Sequence, residues 1–229
     1  MKNTALRFVV VFICLGIFRP AVAESKVVVG YFSTEPMDHF EKNVKPLFEE
    51  FKGACTACEI VNLTPYDDKG VYSEKDLLEK IKNDSSDVVF YLFDWNKVVK
   101  DQNRAFSASL SEKISKGKLI LATTGHAAPG EAGAPLSRTV FGQTKDAIII
   151  GEITGRERLL PQSYFGPEML TALSVPKEHE GKGVSPLYFA ARWAAVWMKK
   201  SPSEWLTHFK EKKVKNRKIF LSINDLLSR

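Results

Sequence analysis

Long apolar runs, cysteine and histidine are all scarce in this chain. One extended apolar run, Phe8 to Phe18, is too short to cross a bilayer, and no second run of its kind follows. We therefore expect a protein that does not span a membrane. There are only three cysteines and four histidines. Because no second pair of ligands follows Cys55 and Cys58 at a suitable spacing, we expect no metal site. We also expect no cofactor.

A strong charge imbalance is also missing. The formal net charge is +6, and it falls to +3 without the basic residues Lys2, Arg7 and Arg19. The basic cluster at 210–218 carries no interleaved aromatic residues. Such a cluster favours a solvated loop over a patch for nucleic acid or membrane lipid, so we expect no nucleic-acid partner.

The first 23 residues have the three parts of an export signal. Lys2 and Arg7 form a basic start, the apolar run follows, and Ala21-Val22-Ala23 supplies small residues for cleavage before Glu24. We therefore predict a signal peptide over 1–23 and a mature chain over 24–229. The mature protein is expected in the periplasm or the medium of a bacterium.

Cys55 and Cys58 are the only cysteines of that mature chain, and an oxidising compartment favours a disulfide between them. Thioredoxin-like redox sites place such a pair at the start of a helix, where the helix dipole lowers the thiol pKa. Here a predicted helix precedes the pair and a predicted strand follows it. We therefore predict a small structural disulfide.

The mature chain alternates apolar strands with amphipathic helices. Predicted strands cover 26–32, 59–63, 87–93, 119–123 and 147–153, and predicted helices cover 40–51, 73–82 and 104–115. Strands that are apolar on both faces and separated by helices indicate a parallel sheet covered on both sides. The sequence therefore predicts one α/β domain.

The stretch Gly183-Val184-Ser185-Pro186 opens an apolar run that continues to Trp197. It predicts a glycine turn, a serine N-cap, proline at the first helical position and a buried helix. Capping is the usual role of a serine in such a place. The functional alternative is a nucleophile at the positive end of the helix dipole, where an oxyanion would be stabilised.

The order of these segments resembles that of the subtilisin-like serine proteases over nearly the whole mature chain. Residues 87–94 are similar to the central strand that leads to the substrate cleft, and 116–125 to the next helix end and strand. Residues 164–176 resemble the segment before the nucleophile, and 221–227 resemble the closing segment. Gly183-Val184-Ser185 stands where the family has Gly-Thr-Ser.

This resemblance implies a three-layer subtilisin-like fold with a mostly parallel sheet between helices. It also implies that Ser185 is the candidate nucleophile. Leu92, Phe93 and Gly125 would then bind a peptide substrate.

Several family residues are replaced. Ser33 stands where the first strand of the family ends in the aspartate that orients the catalytic histidine. His126 replaces the asparagine that donates to the oxyanion, and the His-Gly-Thr-His helix start is absent. A pro-region between the signal and the first strand is not expected either.

Two histidines remain as candidate bases. His39 precedes a helix in the topological place of the catalytic histidine, but it follows Ser33 by only six residues where the family has a longer loop. His126 would lie beside Ser185 if it takes the place of the asparagine, with Asp94 at the end of the neighbouring strand. A rearranged Ser185–His126–Asp94 triad is thus one alternative, and an ordinary polar loop residue is the other for His126.

Three functions stay open on the sequence. The leading hypothesis is an exported subtilisin-like protein with a degenerate site that binds or regulates a peptide or protein partner. The alternative is a divergent serine endopeptidase that uses Ser185 with His39 or His126. A third is a parallel α/β binding domain with an accidental likeness, which absence of the left-handed connection found in the family would favour. The oligomeric state stays open.

Overall fold

The computed structural model describes residues 26–84, 87–99, 104–128, 133–154, 158–215 and 222–228. The predicted signal peptide at 1–23 lies outside these residues and stays a prediction. Within the described residues, no helix has the length and apolar character needed to cross a membrane.

In the described part of the chain, six parallel strands form a single sheet, which confirms the predicted α/β class. The strands are β1 (Val27–Phe32), β2 (Cys58–Asn62), β3 (Val88–Phe93), β4 (Leu119–Thr123), β5 (Ile148–Ile153) and β6 (Met169–Ser174). Their order across the sheet is β2-β1-β3-β4-β5-β6, with every neighbouring pair parallel. Five of them coincide with the predicted strands to within one residue at each end, and β6 lies in the segment before Ser185.

Seven α-helices accompany the sheet in the described residues. They are α1 (Lys45–Phe51), α2 (Glu74–Asn83), α3 (Arg104–Ser115), α4 (Val140–Gln143), α5 (Ser185–Ala194), α6 (Pro202–Lys215) and α7 (Ile223–Leu227). The continuous helix predicted over 40–51 is wrong in one respect, since Phe40–Val44 is a π-helical turn that leads into α1. Pro46 explains part of the break, because it has no backbone N–H for the carbonyl of Lys42.

The helices cover both faces of the sheet, as the three-layer prediction requires. On one face, Phe90 and Ile150 pack with residues of α1 and α5. On the other face, Phe93 and Ile120 pack with residues of α2, α3 and α4. Each strand is therefore apolar on both sides, and such strands are found in parallel sheets buried between helices.

The helical connections share one hand. Helix α1 lies on the first face and leads outward from β1 to β2, while α2, α3 and α4 lie on the second face and lead in the opposite direction across the sheet. Reversing both the face and the direction preserves the hand. None of these four connections is therefore a left-handed exception, and absence of the family's left-handed connection is the feature that favours an accidental likeness. The chain passes from β1 directly to α1 without an intervening strand.

Candidate functional site

The candidate site lies at the carboxyl edge of the sheet, where ligands of parallel α/β proteins usually bind. Ser33 follows β1, Asp94 follows β3, and Gly125 and His126 follow β4. Ser185 begins α5, after a loop that returns from β6. The topology thus brings the predicted site residues to one end of the molecule.

Ser185 is completely buried. Its relative exposure is 0%, and its hydroxyl donates a hydrogen bond to the carbonyl oxygen of Ile150 in β5 at 3.3 Å. The predicted capping role was wrong, because α5 begins at Ser185 itself, with Val184 as the cap and no side-chain cap hydrogen bond. The hydroxyl has turned from the helix end toward the sheet. A backbone carbonyl accepts a proton in a hydrogen bond but is no base that could remove it.

Asp94 takes up the space beside Ser33. Its Oδ2 accepts hydrogen bonds from the hydroxyl groups of Tyr31 and Ser33, both at 2.6 Å. The hydroxyl of Ser33 is therefore bonded to a carboxylate at the end of the neighbouring strand. Oδ1 of Asp94 is buried and has no hydrogen-bond partner among the described residues.

Burial dominates the electrostatics of this carboxyl group. Desolvation raises the pKa of Asp94, while the hydrogen bonds from Ser33 and Tyr31 and the charge of His39 lower it to a smaller extent. Burial also raises the pKa of Tyr31 well above its ordinary value, with the charge of Asp94 adding to the effect. The pair is consequently poor at holding a negative charge.

His39 is half-buried and lies immediately before the π-helical turn. Its Nδ1 is 3.2 Å from the side-chain nitrogen of Asn43. The charge of His39 lowers the pKa of Asp94, an effect smaller than that of burial. No hydrogen bond joins His39 to Asp94 or to Ser185 in the part of the chain that is described.

His126 is exposed in the loop after β4, where its backbone forms a single bridge with Ser163. The side chains of Ser185, His126 and Asp94, all described, are not hydrogen-bonded to one another. The rearranged triad is thus not assembled in this conformation, and its chemistry stays a prediction.

The three predicted substrate-binding residues lie inside the protein. Leu92 and Phe93 are both 0% exposed, and they pack on opposite faces of β3, which is paired on both sides. Gly125 is buried with φ +70°, and a Cβ there would lie 2.5 Å from the carbonyl oxygen of Asn96. Glycine therefore lets the loop after β4 pass closely against the loop after β3. A contact of these residues with substrate stays a prediction.

Glu152 is a site residue that sequence reasoning missed. It lies in β5 and is 3% exposed, and its Oε1 accepts a hydrogen bond from the backbone N–H of Gly181 at 2.5 Å. Burial raises its pKa. The signal in the sequence was an acidic residue inside the apolar run 148–153, since a glutamate is seldom fully buried unless it is paired.

The two cysteines form the predicted disulfide. Cys55 and Cys58 are bonded with their Cα atoms 5.5 Å apart, between α1 and β2. Cys58 is the first residue of β2, so the bond lies at the amino edge of the sheet, opposite the candidate site. Within the described residues, no group of three or more histidine, cysteine, aspartate or glutamate side chains is placed to hold a metal ion.

Comparison with protein-family models finds no match for this sequence, and comparison with curated proteins finds none. Solved structures are similar over most of the chain. A protease from Pseudoalteromonas arctica has a TM-score of 0.62 at 10% identity, covering 89% of this chain and 90% of that one. A lanthipeptide protease has a TM-score of 0.60 at 10% identity, covering 88% and 86%. The prenylagaramide maturation protease PagA has a TM-score of 0.57 at 13% identity, covering 89% and 94%.

Sequence identity this low shows a shared architecture and leaves the activity open. A cold-adapted subtilisin-like serine proteinase is also similar, with a TM-score of 0.53 at 10% identity over 89% of this chain and 81% of that one. The parallel sheet and its two helical layers agree with this likeness. The chain has a subtilisin-like fold.

Proposed function

We propose that this protein is a non-catalytic binding protein built on a subtilisin-like fold. The observation that carries the proposal is the hydroxyl of Ser185, which is fully buried and donates to the carbonyl of Ile150. A serine nucleophile needs a general base within hydrogen-bond reach, about 2.6–3.2 Å. Here the hydroxyl donates to a backbone carbonyl, and among the described residues no hydrogen bond joins it to a histidine.

The carboxylate supports the same proposal. Asp94 accepts from Tyr31 and Ser33 and makes no hydrogen bond with a histidine in the described residues. A catalytic histidine depends on a carboxylate that fixes its tautomer, and loss of a triad member typically costs about 10⁴-fold in rate. A site without an activated serine and without an oriented histidine retains only the capacity to bind.

The ligand we propose is a peptide or an extended segment of a protein. The structural neighbours are proteases, and their names include a lanthipeptide protease and a maturation protease. Two exposed apolar side chains lie in loops that follow β1 and β2 at the site edge, Met37 at 56% and Val71 at 59% exposure. Such side chains offer apolar contact area to a partner.

Export belongs to the proposal as well. The signal-like segment 1–23 and the disulfide between Cys55 and Cys58 both suit an oxidising compartment outside the cytoplasm. Cell fractionation with N-terminal sequencing tests this point. We expect a chain that begins near Glu24 in the periplasm or medium, and an uncleaved cytoplasmic chain would contradict it.

Fluorophosphonate labelling tests the central proposal. The purified protein is treated with the probe and its intact mass is measured, with an active subtilisin as positive control and circular dichroism to verify folding. We expect no adduct on the folded protein. An adduct that maps to Ser185 and disappears in Ser185→Ala would overturn the proposal.

One observation favours the divergent serine hydrolase as a second candidate. His39 acts electrostatically on Asp94, which lies beside the family's aspartate position. This candidate requires the Ser185 hydroxyl to leave Ile150 and reach His39. Labelling at Ser185 would support it, and comparison of His39→Ala with His126→Ala would then identify the base by which variant loses the labelling rate.

A further inference from the structure

Glu152 has one carboxyl oxygen without a partner. Oε1 accepts from Gly181, but Oε2 is buried with no hydrogen-bond partner among the described residues. A buried polar atom left unpaired costs about 1–3 kcal/mol, and more when the group is charged. An atom of this kind points to a missing ligand or solvent molecule.

The carboxyl group lines a small polar cavity. Its volume is about 20 Å³, and its walls include the threonines Thr123 and Thr124, Ser163, His126 and the loop glycines Gly181 and Gly183. A volume of about 10–15 Å³ is enough for one group the size of a water molecule. His126 and Gly181 are exposed, so the cavity adjoins the surface.

The charge at this cavity is negative. Glu180 is the charged group that raises the pKa of Glu152 further, after the larger effect of burial. Burial, with smaller contributions from the charges of Glu50, Glu178 and Glu152, raises the pKa of Tyr188 on α5 to about 12. A compact cation would offset the negative charge of the Glu152 and Glu180 carboxylates, whereas a neutral water molecule would not.

We propose that the Glu152 cavity binds a primary ammonium group, supplied by a lysine side chain or the amino terminus of the peptide ligand. The ammonium donates to Oε2 of Glu152 and to hydroxyl oxygens of the cavity wall. Its head matches a cavity for one water-sized group. This inference rests on the proposed function, because it assigns a contact to the peptide that the protein binds.

Binding of this kind depends on pH in a defined direction. The cation interacts with the ionised form of Glu152, so it lowers the pKa of that group and binds more weakly as the pH falls through it. Of the other titratable groups, His126 after β4 lines the cavity, and Glu180 in the loop before α5 and Tyr188 on α5 interact electrostatically with Glu152.

The test is a titration with n-butylammonium chloride followed by ¹H–¹⁵N NMR. The amide of Gly181 is the reporter, since its N–H donates to Glu152. We expect a saturable shift of this signal with a dissociation constant of about 1 mM, the range of a single small contact. Glu152→Gln keeps an oxygen for Gly181 and removes the charge, so it should weaken binding at least about tenfold.

Matched controls separate the cavity from general charge effects. Glu180→Gln removes the same charge beside the cavity and should change the affinity less than about threefold. Neutral 1-butanol and n-butyltrimethylammonium, which has an oversized head, should cause no saturable shift. Equal binding by the oversized cation, or by the Glu152→Gln protein, would overturn the inference.

The kind of cation that the cavity binds is tested in the same way. Shifts caused by both ammonium chloride and n-butylammonium support a site for an ammonium head. A shift caused by potassium chloride alone would contradict it, as would a flat titration with n-butylammonium well above about 10 mM. Failure here leaves the labelling result at Ser185 unaffected, so failure of this inference is distinguished from failure of the proposed function.

Discussion

At the scale of single residues, the carboxyl group of Asp94 shows which electrostatic effect prevails. Two hydroxyl donors at 2.6 Å favour its ionised form, and burial disfavours it. Burial is the larger effect, because the pKa of the group is raised. Asp94 is therefore protonated more readily in the folded protein than in the unfolded chain.

Replacing Asp94 with asparagine should flatten the pH dependence of stability. An acid with a raised pKa in the folded state binds more protons there, so its contribution to the free energy of unfolding falls as the pH rises. That change occurs between the ordinary carboxyl pKa and the raised one. Asparagine keeps one oxygen for Tyr31 and Ser33 and never ionises. Loss of a buried hydrogen-bond partner usually lowers the free energy of unfolding by about 1–3 kcal/mol. Because asparagine still accepts from a hydroxyl group, Asp94→Asn should lose less than this at neutral pH.

Urea unfolding of both proteins at pH 7 and pH 5 measures this effect. Asp38→Asn is the control that should leave the pH dependence in this range unchanged, because hydrogen bonding and attraction by Lys42 lower the pKa of that exposed carboxyl, and its contribution changes only below the ordinary carboxyl pKa. The prediction would be contradicted if the free energy of unfolding fell more from pH 5 to pH 7 in Asp94→Asn than in the native protein. That result would show that the Asp94 carboxylate stabilises the fold.

The sequence alone identified several residues of the site edge but not their contacts. Asp94 was expected to orient a histidine, yet its partners are Tyr31 and Ser33, more than 60 positions earlier in the chain. Periodicity assigns a residue to a strand and a face, and it carries no information on which hydroxyl group meets which carboxylate. The direction of the Ser185 hydroxyl was missed for the same reason.

At the scale of elements, the loop between β6 and α5 depends on its glycines. Gly181 and Gly183 both have positive φ, at +77° and +66°. A Cβ at Gly183 would lie 2.5 Å from the carbonyl oxygen of Asp94, whereas a Cβ at Gly181 would have no atom within 4 Å. Both positions are strained for other residues, but only Gly183 is also enclosed.

This difference predicts unequal effects of alanine at the two positions. Gly181→Ala should lower the free energy of unfolding by about 1 kcal/mol, the usual cost of an unfavourable backbone conformation. Gly183→Ala should lower it by about 3 kcal/mol or more, because the backbone at Asp94 or the start of α5 must also move. Guanidinium unfolding of the two variants gives the comparison. Equal losses would mean that the close approach of Gly183 to Asp94 does not occur in solution.

The strands were more predictable than the helices, for a physical reason. Buried parallel strands such as Val88–Phe93 are short, continuous apolar runs bounded by polar residues. The turn at Phe40–Val44 shares its helical spacing with α1, so the apolar pattern cannot separate π-helical from α-helical geometry. The four-residue α4 is too short for its periodicity to be recognised.

At the scale of the whole molecule, tryptophans connect the outer helices to the sheet. The ring of Trp193 on α5 lies 4.7 Å from that of Phe90 on β3 and 5.5 Å from that of Trp205 on α6. Trp205 is 1% exposed, and its indole N–H donates to the carbonyl of Trp197 at 3.0 Å. Helix α6 is thereby attached to the same core that buries α5.

Trp205→Ala should consequently weaken the whole fold rather than release α6 alone. Removal of a buried tryptophan costs about 3–5 kcal/mol, through lost apolar burial and the cavity that remains. Met198→Ala is the matched control, since Met198 is near in sequence and 64% exposed, and it should change stability by less than about 0.5 kcal/mol. Tryptophan fluorescence and far-ultraviolet circular dichroism during guanidinium unfolding should give coincident transitions for both variants. Separate transitions for Trp205→Ala would show that α6 unfolds on its own. The cooperative core on the α5 face would then include Trp193 but not α6.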